Sequence, residues 1–253
     1  MTNRTDPPID FANKLAVVSG AGRGIGRGCA LALAARGADV ALLARSAPEL
    51  ESLAAEIRAA GGSARVVPCD VTDDAALERA FEQLPRCDVL INNAGGNRPQ
   101  PFLDVDTGTL DALLTLNVRA MFRTAQLGAA KMRTHGGGVI VNLSSQMGHV
   151  GAPNRSVYCM TKHAVEGLTK ALAVELAPLG IRVNAVAPTY VATPMTEPFF
   201  ANAQFRDAVL ERIPLGRIGR VEEVVAAVVF LASPAASLIT GASLLVDGGY
   251  TAQ

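Results

Sequence analysis

From Leu15 to Ala35 the chain reads LAVVSGAGRGIGRGCALALAA, closed by Arg36-Gly37. A short apolar run stopped by glycine is a buried strand, Leu15 to Ser19, and the alanine-rich stretch Cys29 to Ala35 is helical. Strand, glycine turn and helix in this order build a βα unit suited to a nucleotide. Glycine lets the backbone approach a pyrophosphate, and the helix start offers unpaired amides to its charge. Gly20, Gly24 and Gly26 follow a GxxxGxG spacing rather than GxGxxG. The spacing alone also suits an ordinary tight turn; its place between strand and helix favours the nucleotide.

The alternation continues along the chain. Strands are expected at Asp39–Ala44, Ala64–Val67, Asp88–Ile91, Gly138–Leu143, Ile181–Ala187 and Ser243–Val246. Helices are expected at Ala47–Ala60, Asp73–Gln83, Thr109–Thr134, Ser156–Ala177, Gln204–Arg212 and Val221–Ala232. Such an order predicts an α/β fold, a single Rossmann-type domain over 13–253 with a doubly wound parallel sheet and helices on both faces. Residues 1–12, with Pro7 and Pro8, read as a flexible arm. The segment 188–212, which carries Pro188, Pro194 and Pro198, begins as a long loop and is expected to act as a substrate lid.

Charge narrows the partners. The 253 residues carry 23 basic and 23 acidic side chains, a net charge of +0, which argues against nucleic acid or an anionic membrane surface. Apolar runs such as Val224–Ala232 are too short to span a bilayer, and the start MTNRTDPPID has no apolar signal core, so a soluble cytoplasmic protein is expected. Cys29, Cys69, Cys87 and Cys159 form no CxxC pair, and His135, His149 and His163 are widely separated; no metal site or disulfide framework is expected.

The chemistry-bearing residues fall at strand ends. After the second strand comes Ala44-Arg45-Ser46, with no acid to meet a ribose 2′-hydroxyl; with Arg23 in the glycine turn this favours NADP(H), NAD(H) staying open. Asp70 either caps the next helix or bonds an adenine amino group. Asn92-Asn93-Ala94-Gly95-Gly96 is a loop small enough to let a flat ring or ribose lie against backbone. Asn117 sits in the apolar run Leu113–Val118, where its amide either bonds backbone or holds a water in a proton path. Ser145 ends the fifth strand. Tyr158 and Lys162, four apart on a helix, share one face. A phenol loses its proton near pH 10 and is a poor acid or base at neutral pH unless a nearby cation favours the phenolate.

Taken together, Ser19-Gly20-Ala21-Gly22-Arg23-Gly24-Ile25-Gly26, Asp70-Val71, Asn92-Asn93-Ala94-Gly95, Asn117, Ser145, Tyr158-Cys-Met-Thr-Lys162 and Asn184-Ala-Val-Ala-Pro188 resemble a classical short-chain dehydrogenase/reductase, in order and spacing, from about residue 12 to the C-terminus. The resemblance implies a nicotinamide-dependent oxidoreductase acting on CH–OH groups, with strand order 3-2-1-4-5-6-7. It implies Tyr158 as general acid/base, Ser145 orienting the substrate oxygen, Lys162 holding the nicotinamide ribose and lowering the phenol's pKa, and Asn117 holding the water that links Lys162 to solvent. Pro188, Val191 and Thr193 would meet the nicotinamide, and Arg45, Ser46, Asp70, Val71, Asn93, Ala94 and Gly95 the rest of the cofactor. Homotetramers that pair the helices of Asn117 and Tyr158 are common in the family. Two positions depart from its pattern: Ser19 stands for the commoner Thr, and Thr189 for Gly.

The region between Ser145 and Tyr158, with the lid, should line the substrate pocket. Gln146, His149, Asn154, Arg155 and Tyr190 suggest a small hydroxylated substrate, a sugar, polyol or sugar acid, with Arg155 or His149 as carboxylate partner. A 3-oxoacyl-carrier-protein-type reductase is the alternative, and an idle binding or regulatory protein on the same fold a distant one. A hydrolase using Ser145 lacks a GxSxG elbow.

Overall fold

β1 (Leu15–Ser19) is buried at every position, as a central parallel strand flanked by helices must be. The structure, a computed structural model, describes residues 9–253. After β1 the chain alternates: α1 (Gly24–Ala34), β2 (Asp39–Ala44), α2 (Ala47–Ala59), β3 (Ser63–Pro68), α3 (Asp74–Glu82), β4 (Val89–Asn92), α4 (Thr107–Leu114), α5 (Ala120–Thr134), β5 (Gly138–Leu143), α6 (Ser156–Leu176), β6 (Ile181–Pro188), α7 (Glu197–Phe200), α8 (Ala203–Glu211), α9 (Val221–Ala232) and β7 (Ser243–Val246). The seven strands form one parallel sheet in the order β3-β2-β1-β4-β5-β6-β7, as expected.

Alternate residues of β1 feed opposite layers. Ala16 and Val18 pack under α1, α2 and α9 with Leu33, Leu53 and Val228, whereas Leu15 and Val17 pack under α3, α5 and α6 with Leu77, Phe81 and Met132. Of the arm expected over 1–12, residues 1–8 lie outside the described residues. Phe11, 2% exposed, belongs to the first of these layers, and its amide donates to the Arg36 carbonyl at 2.9 Å.

Three elements differ from expectation. α1 begins at Gly24 rather than Cys29, because close packing rather than propensity decides its start: a Cβ on Gly28 would stand 2.7 Å from Val221 of α9. The long helix expected over Thr109–Thr134 is interrupted by a π turn, Thr115–Arg119, that contains Asn117. The loop expected to reach Gln204 is shorter and tied down: Val191 bridges Gly219, and the Thr196 hydroxyl donates to Val191 and Thr193 carbonyls. α7 and α8 then carry Phe199, Phe200 and Phe205 into an aromatic cluster with Tyr190, ring centroids 5.7 to 6.2 Å apart.

Strand order reverses between β1 and β4, where the connections leave in opposite directions and a crevice opens at the carboxyl ends. Ser19 Oγ accepts from the Asn93 and Ala94 amides at 2.9 and 3.1 Å, and Asn93 Nδ2 donates to the Ser19 and Gly20 carbonyls at 3.0 and 3.2 Å. These bonds fix the two loops that border the crevice. A Cβ on Gly26 would collide with the Gly20 carbonyl oxygen and lie 2.5 Å from Asn93 Nδ2. Gly26→Ala should therefore destabilise the cofactor-free protein by about 3 kcal/mol, read from urea unfolding midpoints.

Candidate active site

The crevice is a cavity of about 850 Å³, lined from the glycine turn through the ends of β2, β4, β5 and β6 to Thr196. α2, α3, α4 and α8 each begin under a side-chain cap, from Ser46, Asp73, Asp106 and Asn202. α1 has none: Arg23 makes no capping bond, and the first turn holds no acid. Its leading amides and positive dipole end thus remain available at the cavity wall formed by Gly22, Arg23, Gly24 and Ile25. Gly20 and Gly24 adopt φ of 66° and 55°, a left-handed turn that non-glycine residues rarely take. A dinucleotide's pyrophosphate fits such a wall.

Arg23, Arg45 and Ser46 line the far end, with Asp70, Val71 and Thr72 beside them. Asp70 does not cap α3, a position taken by Asp73, whose carboxylate accepts from the Ala76 amide at 3.0 Å. Asp70 accepts instead from the Thr72 amide and hydroxyl at 3.0 and 2.7 Å. Burial pushes its carboxyl upward, but the Thr72 bonds and Arg45 outweigh it and hold the pKa below the usual value. Glu49, in the first turn of α2, lies against Gly22 and also lines this end; the reading of the strand end at Ala44-Arg45-Ser46 missed it because helical rise brings it back four residues later.

At the other end, β5 delivers Ser145, 7% exposed, and α6 delivers Tyr158 and Lys162, all on the cavity wall. Burial pushes the Tyr158 phenol up to about 12, while its hydrogen bond to Ser145 and the charge of Arg155 pull it down. Lys162 Nζ donates to the Leu143 carbonyl at 2.8 Å and lies 5.6 Å from the phenol ring centroid. Burial also pushes the Lys162 ammonium down to about 8, with Glu166 one turn along α6 opposing.

Asn117 is fully buried but does not reach the cavity wall. Its amide clasps Gly96, accepting from the backbone N–H at 2.8 Å and donating to the carbonyl at 2.9 Å, and it donates to Thr161 Oγ1 at 3.1 Å. Backbone bonding, one of the two readings open from the sequence, is present. The side chain links the π turn, the Gly95–Gly96 loop and α6.

A smaller recess of about 70 Å³ adjoins the cavity at Ser145 and Tyr158, walled by Asn97, Gln146, Met147, Arg155, Thr189, Tyr190, Met195, Thr196 and Phe199. Gln146, Arg155 and Tyr190 thus line this recess. His149 and Asn154 do not. His149 turns away to Ser243 Oγ at 3.0 Å and Glu166 at 3.3 Å, and Asn154 is exposed in a left-handed turn, φ 58°, with its carbonyl accepting from the Gln100 amide. Ser19 and Gly26 are likewise absent from the cavity wall: one braces β1 against β4, the other lets α1 approach the turn.

Residues 20–251 match the family described as enoyl-(acyl carrier protein) reductase. L-xylulose reductase of Bos taurus is 43% identical over 96% of this chain and 99% of its own. The chain belongs to the short-chain dehydrogenase/reductase family. Gluconate 5-dehydrogenase of Gluconobacter oxydans is 41% identical over 93% of this chain and 94% of its own. A gluconate 5-dehydrogenase from Burkholderia cenocepacia, solved in complex with NADP and tartrate, superposes with TM-score 0.93 at 33% identity over 97% and 98% of the two chains.

The enzyme is thus an NAD(P)-dependent oxidoreductase that interconverts an alcohol and a ketone. Thr189, in the place of the usual glycine, keeps an ordinary backbone: its φ is not positive, and its amide donates to Val246 at 3.1 Å. Among the described residues no helix is long and apolar enough to cross a membrane, and no three His, Cys, Asp or Glu gather as for a metal ion.

The Lys162 shift has a measurable consequence. Between about pH 8, its value in the native cofactor-free enzyme, and its ordinary 10.5, the unfolded chain binds a proton that the native state lacks, so stability rises with pH across this window. Lys162→Met should remove that rise, seen as a smaller pH dependence of the urea midpoint than in the wild type.

Proposed function

We propose that the enzyme interconverts a secondary alcohol and a ketone on a small polyhydroxylated substrate of the sugar, polyol or sugar-acid kind, with NADP(H) preferred. One observation carries the substrate class. Asn97, Gln146, Arg155 and Thr189 all line the recess, and each keeps a buried polar atom, Oδ1, Oε1, Nε and Oγ1 respectively, with no hydrogen-bond partner in the protein. Buried polar groups are costly unless satisfied, by roughly 1–3 kcal/mol each. A chain of hydroxyls satisfies those of Asn97, Gln146 and Thr189; the alkyl chain of an acyl thioester does not, which disfavours a 3-oxoacyl-carrier-protein reductase. The relatives named for L-xylulose and gluconate support the same class.

NADP(H) preference rests on Arg23 and Arg45 at the far end of the cavity and on the lack of an acid at the end of β2. The NADP in the Burkholderia cenocepacia relative agrees with it. A bound nicotinamide supplies or accepts the hydride. Tyr158 gives its phenolic proton to the forming alkoxide, or takes it from the alcohol in the reverse direction. Ser145 holds the substrate oxygen beside the phenol. Lys162 binds the ribose and, with the cofactor's charge, brings the phenol back toward working pH. Asn117 acts as a positioning residue, holding the Gly95–Gly96 loop and the π turn through which the proton path to solvent runs. Residues 188–212 serve as the lid.

Self-association as a homotetramer is supported by apolar side chains left outside on the pairing helices, Phe122 of α5 and Val174 of α6, at 45% and 79% exposure. A cytoplasmic location agrees with four free cysteines, three of them buried.

Two experiments test this reading. Tyr158→Phe should lower kcat by about a thousandfold while fluorescence titration shows cofactor affinity retained. Arg45→Ala should reduce the ratio of kcat/KM with NADP to that with NAD by about tenfold; a wild type that favours NAD would overturn the cofactor assignment.

A further inference from the structure

A neutral polyol accounts for the amides and hydroxyl of the recess but not for Arg155. This side chain is 5% exposed, its guanidinium stacks over Phe199 at 5.3 Å from the ring centroid and reaches the Tyr190 phenol, and Nε points to no partner. None of the ion pairs among the described residues includes it. A guanidinium cannot shed its charge as a lysine can, so burial without a counter-ion is a standing cost in the free enzyme. Stacking on an aromatic face holds the plane of the fork while leaving its edge for a second planar group, and a carboxylate is the ligand that matches such an edge.

We propose that Arg155 binds a carboxylate of the substrate, so that the enzyme acts on polyhydroxy acids, an aldonate and its keto form, in preference to neutral polyols of the same chain. The assignment rests on the polyhydroxylated reading above and narrows it. Position agrees with the chemistry. Ser145 and Tyr158 belong to the walls of both cavity and recess, so a substrate whose reacting carbon meets them extends its remaining chain into the recess. There Asn97, Gln146 and Thr189 offer groups for hydroxyls, and Arg155 a terminus for the carboxylate. The recess has room for only a few heavy atoms, which places the carboxylate a short chain from the reacting carbon.

Arg155 also favours the Tyr158 phenolate, and that role must be told apart from substrate binding. The test measures kcat and KM with NADP for short-chain aldonates and for alditols of matching configuration. It also measures the dissociation constants of the same compounds from the enzyme–NADP complex. The best aldonate is expected to exceed the best alditol in kcat/KM by about tenfold or more. Arg155→Gln should raise the aldonate Kd on the order of tenfold to a hundredfold while alditol Kd values stay within about threefold; any loss of kcat through the Tyr158 phenol falls on both classes alike. Arg155→Lys should recover part of the loss. Since Arg155→Gln removes an uncompensated charge, the cofactor-free variant should melt no lower than the wild type.

Alditols used as well as aldonates would overturn the proposal. So would an Arg155→Gln that lowers kcat for both classes alike, or lowers the melting temperature, while aldonate affinity is unchanged. Absence of any turnover with Arg155-dependent aldonate binding intact would uphold the carboxylate site and sink the polyhydroxylated reading. Absence of carboxylate binding would sink the site.

Discussion

The whole arrangement depends on how the ends of β1 and β4 are joined. These strands are neighbours in the sheet but far apart in the chain, and the connections that follow them leave toward opposite faces. Without a bond across the gap the two loops would move independently. Ser19 and Asn93 supply it: one hydroxyl accepts two amides from the β4 loop, and one carboxamide donates to two carbonyls of the β1 loop. The glycine turn is thereby held open on one side of the crevice and the Ala94–Gly96 backbone on the other. Gly26 completes the junction by letting α1 sit against the Gly20 carbonyl.

Burial dominates the electrostatics of the catalytic end. Tyr158 and Lys162 lie in the same cavity wall, and burial drives each toward its neutral form, the phenol upward and the ammonium downward. Arg155 opposes the effect of burial on both nearby phenols, Tyr158 and Tyr190.

The sequence made the layer order, the strand ends and the catalytic cluster legible because periodicity and motif spacing report on backbone path. It did not report where side chains turn. Ser19 and Gly26 belong to the glycine motif yet serve packing, a distinction that spacing does not carry. His149 and Asn154 sit in the stretch between Ser145 and Tyr158, but one faces α6 and β7 and the other terminates in a left-handed turn. Asn117 looked like one polar residue in a continuous helix; the π turn around it has no signature that a single sequence displays, and the polarity of Asn117 within an apolar run was the sole hint. Asn97, Thr189 and Phe199 were missed because the recess is assembled from the β4 loop, the end of β6 and α7, three places that only the fold brings together.

The Asn117 clasp changes how cofactor affinity should be understood. Both backbone groups of Gly96 are already bonded, one to each end of a single carboxamide, and Asn93 is bonded on its own side. Immobilising a backbone residue costs about 1–2 kcal/mol, and for the loop from Asn93 to Gly96 that loss is incurred when the chain folds, not when a ligand arrives. Association with this wall thus carries little ordering entropy, and what a titration would measure there is contact and desolvation.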